Sequence, residues 1–398
     1  MMISRRYKGW LTLILVVALL TTAGCWDRKE IENRGYVLGV AIDYTLAPNP
    51  EEKHDLKYSP QSTGTRKFRV TFELPKFRKP SENQDINAGQ SHLIWAGEGE
   101  SMFAITRAVD TKTYFGMFFE DMQSIIISEA VARDGIADIL DFFQRNAEMR
   151  RRVKLFVTPG RAEDILTAKL QVGEVNSVFI AKLVHSVDKS PYFASKVELG
   201  QIARAIRGKR SFVLPMVLVE NQEIRLTKAV IFNKDAKMVG VLDDLEVIGG
   251  KLLRNNLKQG VLAVPNPADP AKLVVFELYE PVIKIDSQLD GDNLRIIVDA
   301  KLFGTLGENM EPRQDAYDRA FVLAVEKAVE EEYTRLVRNA YVKMQEQKAE
   351  TSELGSLVHR QHPDYWQQIK DRWDDEVFPS VPLEVNIKVV IRRPVIMR

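Results

Sequence analysis

The sequence predicts an α+β fold, with three mixed α/β domains built on separate sheets behind an N-terminal leader. Three observations carry that prediction. Apolar residues repeat with period two in some stretches and with helical spacing in others, and the two patterns interleave along the chain. The length, 398 residues, exceeds what one hydrophobic core usually organises. The pattern also changes at Ser190-Pro191 and again at the cluster Pro265, Pro267 and Pro270. These breaks divide the chain into a signal peptide (1–24), an N-terminal α/β domain (25–190), a small middle α+β domain (191–264) and a C-terminal α+β domain with a long helix (265–398).

Arg5, Arg6 and Lys8 charge the start of the leader, and residues 10–20 are almost wholly apolar, the length of a secretory core and short of a comfortable bilayer span. Ala23 and Gly24 then precede Cys25, the only cysteine in the chain. This is the layout of a lipoprotein signal peptide, although Thr22 stands where such sites usually carry leucine. Cleavage after Gly24 would leave Cys25 as an S-diacylglycerol cysteine and the new N-terminus. Each buried methylene contributes about 0.8 kcal/mol and two chains give stable attachment. The mature chain is therefore expected to be lipid-anchored on the extracytoplasmic face of a membrane, with its remaining residues outside the bilayer.

In the N-terminal domain, residues 36–42 read as a buried strand, and Phe68, Val70, Phe72 and Leu74 alternate with Arg69, Thr71 and Glu73 as a strand with one apolar face. Residues 45–65 and 76–91 are polar and read as long exposed loops. Helical spacing appears at Met102, Ile105, Ala108 and Val109, again at Ile136, Ile139, Leu140 and Phe143, and once more over residues 161–170. Residues 125–127 and 153–157 are β-rich runs between these helices. The middle domain opens with a helix over 197–207, followed by strands near 212–219, 227–232 and 237–242, the last two joined by an Asn233-Lys234-Asp235 hairpin turn. Residues 261–273, with their prolines, read as a linker.

The C-terminal domain has strands at 273–279, 282–286 and 294–302, with Asp290-Gly291-Asp292-Asn293 as a turn. A helix over about 314–350 follows, its stripe made of Ala316, Ala320, Leu323, Val329, Tyr333, Leu336, Ala340 and Met344. A last strand alternates through Leu383, Val385, Ile387, Val389 and Ile391.

Charge is balanced. The 56 Lys and Arg residues less Arg5, Arg6 and Lys8 leave 53 against 55 acidic residues in the mature chain, a formal charge of −2, so there is no bulk electrostatic reason to bind nucleic acid. His359 and His362 sit three apart, but no recognisable ligand set accompanies them, and no metal or cofactor is expected. Gly97-Glu98-Gly99 lacks the rest of a phosphate loop and reads as a turn before the Met102 helix. Asp243, Asp244 and Glu246 lack EF-hand spacing and read as a solvated patch. Arg145, Arg150, Arg151 and Arg152, beside Glu148, read first as a solvated helix end and second as a surface for lipid headgroups or an acidic partner. No nucleophile with a base can be named, so a catalytic role is not expected.

The block Gly24-Cys25-Trp26-Asp27-Arg28-Lys29-Glu30-Ile31, continuing into residues 37–43, resembles the opening of the Ger(x)C family, the lipoprotein C subunits of spore germinant receptors. Residues 132–136 with 141–152, residues 226–240 and residues 366–393 resemble the same family. Pro394 departs from it, standing where a glycine-bearing ending is usual. The resemblance implies a noncatalytic three-domain α+β lipoprotein on the outer face of the spore inner membrane, associated with an A subunit and a transporter-like B subunit in nutrient sensing. A solute-binding lipoprotein of a transporter is the alternative, and would need a ligand cleft between two similar lobes.

Overall fold

The computed structural model describes residue 10 and residues 34–45, 67–76, 92–170, 174–186, 190–192, 194–310 and 318–392. The expected leader but for Trp10, Cys25 and most of the two stretches expected as loops (45–65 and 76–91) lie outside the described residues. The described chain opens with β1 (Arg34–Tyr36), which pairs in parallel with β5 (Gly116–Phe118) as a two-stranded ribbon.

The main sheet has eight strands in the order β10-β9-β8-β7-β6-β2-β3-β4. Its centre is β2 (Gly39–Tyr44), β6 (Ser124–Ser128) and β7 (Lys154–Thr158), paired in parallel. These strands are apolar on both faces, as parallel strands covered on both sides require. Val40, Ile42, Ile125, Ile127, Leu155 and Val157 enter one core, while Ala41, Ile126 and Phe156 enter the core on the opposite face. Full burial of each large side chain contributes about 1.5–3 kcal/mol. On the first face lie α1 (Met102–Asp110), α2 (Glu129–Asp134), α3 (Ala137–Arg145) and α6 (Leu199–Arg207). On the second lie α4 (Ala162–Thr167) and α5 (Asn176–Ser186). Antiparallel strands β3 (Phe68–Pro75) and β4 (His92–Gly99) complete one wing.

The other wing differs from expectation. The strands assigned from sequence to a separate middle domain, β8 (Phe212–Glu220), β9 (Glu223–Phe232) and β10 (Met238–Leu242), form no sheet of their own. They extend the first sheet, with β8 joining β7 in parallel at Val157↔Met216. An exposed β7 edge would leave unpaired backbone groups that a continuing strand satisfies. The hairpin between β9 and β10 forms as read.

The second sheet has the order β11-β12-β13-β14. The proline-rich stretch is not a linker: it folds as β11 (Gly260–Asn266) and its turn into β12 (Asp269–Asp290). Proline is tolerated there because β11 is an edge strand. The two strands expected at 273–279 and 282–286 are one strand, with a register shift between Leu278 and Glu280. Pro281 fits because β11 pairs with β12 only as far as Leu278, leaving that side of β12 without a ladder to break. β13 (Asn293–Asn309) returns through a turn in which Gly291 has φ +58°, and β14 (Leu383–Ile391) lies parallel to β13.

Between β13 and β14 runs α8 (Arg319–Glu346), which covers one face of the sheet. Residues 314–317 of the expected helix lie outside the described residues. The buried stripe is Phe321, Val325, Val329, Tyr333, Leu336, Val337, Ala340, Tyr341 and Met344. Leu323, assigned to the stripe, is 53% exposed, because the true phase runs through Phe321 and Val325. Asp318 caps the helix by accepting from the Phe321 N–H at 2.8 Å. Asp318→Ala is expected to destabilise the protein by about 1 kcal/mol, read as a lower urea midpoint; an unchanged midpoint would show that the cap contributes nothing. On the far side of α8 packs α7 (Asp244–Leu253), and α9 (Leu354–Gln361) and α10 (Pro363–Ile369) follow, leading into short turns over residues 370–380.

Candidate functional site

The two sheets meet across a cleft of ≈ 1070 Å³. On one side stand α6, the turn into β8 and α7; on the other stand residues 350–356 and the Trp373–Val377 turn. The amphipathic pattern of α6 buries Leu199, Ile202, Ala203 and Ala205 and turns Arg204 and Arg207 outward. Gly208, Lys209 and Arg210 then carry the chain into β8.

Two buried carboxyl groups hold the opposite wall in shape. Glu350 accepts from the N–H groups of Ser352 at 2.5 Å and Gly355 at 3.0 Å, fixing the turn that starts α9. Asp374 accepts from the Ser211 hydroxyl at 2.6 Å and the Glu350 N–H at 3.3 Å, so it ties the second unit to the start of β8. Burial pushes both carboxyls up, and the neighbouring Asp374 charge adds to the effect on Glu350. Both are committed to holding backbone and hydroxyl donors. Lys234 pairs with Asp375, Arg254 with Glu353 at 2.7 Å and Lys343 with Glu246 at 2.5 Å, closing the joint further.

A second polar cluster lies inside the large sheet. Glu73 is fully buried and accepts from the N–H groups of Asn176 at 3.0 Å and Ser177 at 2.8 Å, at the start of α5. Burial pushes its carboxyl up to about 7. The His92 Nδ1 stands 3.5 Å away, and burial lowers the imidazole's pKa. Asp43 does the same service for α4, accepting from Ala162 N–H at 2.7 Å and Glu163 N–H at 3.0 Å. The alternation of β3 predicts Thr71 and Glu73 on a polar outer face; they are buried instead, because helices cover that face too.

The residues singled out from sequence fall in separate places. Cys25 lies outside the described residues. His359 stacks on Trp366, and His362 Nε2 lies 3.1 Å from the Ser287 carbonyl oxygen. Among the described residues no cluster of three or more His, Cys, Asp or Glu is placed to hold a metal ion. Gly97-Glu98-Gly99 is no turn but the end of β4, where a Cβ on Gly97 would lie 2.8 Å from Val109 of α1. Asp243 and Glu246 form the capping box of α7, and Asp244 accepts from Thr227 Oγ1 and Lys228 N–H, so this patch is structural rather than merely solvated. Arg145 pairs with Asp141, and Arg150 with Glu120 and Asp121, while Arg151 and Arg152 are exposed. The basic run that does line the cleft, Arg204 to Arg210, was visible only as closely spaced Arg and Lys at a helix end.

This architecture is that of the spore germination proteins. The family model for the spore germination protein N-terminal domain matches residues 27–219, and the model for the spore germination B3/GerAC-like C-terminal domain matches residues 227–395. The gap between them brackets the β8–β9 turn. The chain belongs to the Ger(x)C family of spore germination proteins. It is 24% identical over 399 residues to spore germination protein YndF of Bacillus subtilis (strain 168), with 97% of each chain covered. It is 22% identical to spore germination protein B3 of the same organism, covering 95% of this chain and 96% of that one. The crystal structure of the GerBC protein has a similar fold, with a TM-score of 0.57 at 19% identity, covering 89% of this chain and 98% of that one. No described helix is long and apolar enough to cross a membrane.

Proposed function

We propose that this chain is the lipoprotein C subunit of a spore nutrient germinant receptor, held to the outer face of the spore inner membrane through an acylated Cys25. There it acts as a noncatalytic assembly and signalling component beside the A and B subunits. The observation that carries the reading is the match of both family domains, in order, from residue 27 to residue 395. The leader supports it, since Cys25 stands two residues before the first matched position. A tether confines the folded body near its membrane partners and raises their effective concentration, so individually weak contacts suffice to hold a complex.

The two units flanking the cleft are unlike, eight strands against four, which does not match the pair of similar lobes a solute-binding lipoprotein would use. Cys25→Ala is expected to shift the protein from the membrane fraction to the soluble fraction of disrupted spores and to impair nutrient-triggered germination. Mass spectrometry of the wild-type N-terminal peptide should find a diacylglyceryl group on Cys25. Normal receptor assembly in the variant, checked by crosslinking to the A and B subunits, would defeat the reading.

A further inference from the structure

One wall of the cleft is strongly basic. Arg204 and Arg207, about one helical turn apart near the end of α6, are followed by Lys209 and Arg210, and all four are exposed and line the cleft together with Lys196. None of these five side chains has a hydrogen bond or ion pair among the described residues. The acids of the cleft are largely occupied: Asp374 by Ser211, Glu350 by backbone amides, Glu353 by Arg254. Asp235 stands in the field of Lys234, so among the described residues Asp371 alone of the cleft's acids remains without a side-chain partner, against five free cations.

Isolated surface cations are ordinarily solvated, but a concave wall of one sign over a low-dielectric floor focuses its field into the cavity. Lys209 adds a backbone observation. It sits at φ 47°, in the left-handed region where glycine is cheaper, so the turn bears strain with a lysine in place. The cleft is also large, against the range of about 300–1,000 Å³ usual for ligand pockets.

We propose that this wall binds a phosphate-bearing anion, with the guanidinium groups of Arg204 and Arg207 as its main donors and Lys209 and Arg210 balancing the remaining charge. Planar guanidinium forks match phosphate oxygens two at a time, and four clustered cations suit a multiply charged group better than a single carboxylate. The phosphate can belong to a soluble compound or to a phospholipid headgroup. The inference does not rest on the receptor reading.

The test is isothermal titration of the purified full chain in nonionic detergent at low ionic strength, with inorganic pyrophosphate and, separately, with dihexanoyl phosphatidylglycerol. Saturable binding of at least one probe is expected, weakened at least tenfold in Arg204→Gln/Arg207→Gln and unchanged in Arg225→Gln, which removes a cation of β9 outside the cleft. Binding of pyrophosphate alone assigns the soluble source, and binding of the lipid alone assigns the headgroup. Lys209→Gly should raise the unfolding midpoint while lowering affinity, a combination that a purely structural lysine would not give. Absence of saturable binding by both probes, or wild-type affinity in the double variant, overturns the proposal. If the double variant fails to fold, Lys209→Gln/Arg210→Gln gives the same readout.

Discussion

Gly249→Ala is expected to destabilise the protein by about 2–3 kcal/mol, whereas Gly250→Ala, one residue along the same helix, should change stability by less than about 1 kcal/mol. A Cβ on Gly249 would lie 2.1 Å from the Leu336 carbonyl oxygen, 2.6 Å from its carbonyl carbon and 3.0 Å from the Ala340 Cβ. The first two are backbone atoms inside α8 and cannot swing aside, so α7 must lift away and open the packed seam beneath it. At Gly250 the nearest atoms are the Leu242 Cδ1 at 3.4 Å and the Met344 Cε at 3.8 Å, both at side-chain ends. Alanine gains about 1 kcal/mol over glycine in a helix interior, which softens the first loss and offsets the second. Chemical denaturation of the two variants beside wild type measures the contrast. Equal midpoints would mean that α7 and α8 do not approach as closely as described, and with them the joint between the two sheets would be in error.

Stability should also fall as pH rises toward neutrality, and Glu73→Gln should make that fall shallower. The Glu73 carboxyl is pushed from 4.5 to about 7 by burial. Between those values the folded state holds a proton that the unfolded state has released, so the folded state binds more protons and its stability declines with rising pH. The contribution is fully present below 4.5 and is lost as pH rises through about 7. At 1.36 kcal/mol for each pH unit, the interval corresponds to roughly 3 kcal/mol. His92 acts with the opposite sign: its pKa is lowered from 6.5, so its contribution is present above 6.5 and lost as pH falls through the folded value. Urea midpoints at pH 5, 6 and 7.5 should drop in wild type and in His92→Gln and drop less in Glu73→Gln, where Asp43, Glu350 and Asp374, also raised by burial, keep their own share of the fall. Parallel profiles for wild type and Glu73→Gln would rule out Glu73 as the source.

Much of the local structure was legible from residues alone. Period-two runs marked β3 and β14, helical spacing marked α1, α3 and α6, and Asn233-Lys234-Asp235 marked the β9–β10 turn. Errors came where a pattern specifies one buried face but not what lies on the other. Arg69, Thr71 and Glu73 looked like an outer face, yet α4 and α5 cover it and Glu73 becomes a cap for α5. Leu323 and Phe321 are both apolar near the start of α8, and only the sheet beneath decides which one is buried. Prolines at 265, 267 and 270 signalled a break because their sequence does not say that β11 has a free edge.

By itself, the sequence determined the kinds of element, their order and the family to which the chain belongs. These follow from local periodicity, turn chemistry and a contiguous motif, all expressed within a few residues. Tertiary structure alone decided that β8–β10 extend the first sheet, that Ser211 meets Asp374 across 163 positions, and that Arg204, Arg207, Lys209 and Arg210 share a cavity wall. Such meetings arise from strand edges seeking partners and buried polar groups requiring donors, and those requirements are satisfied by residues far apart in the chain.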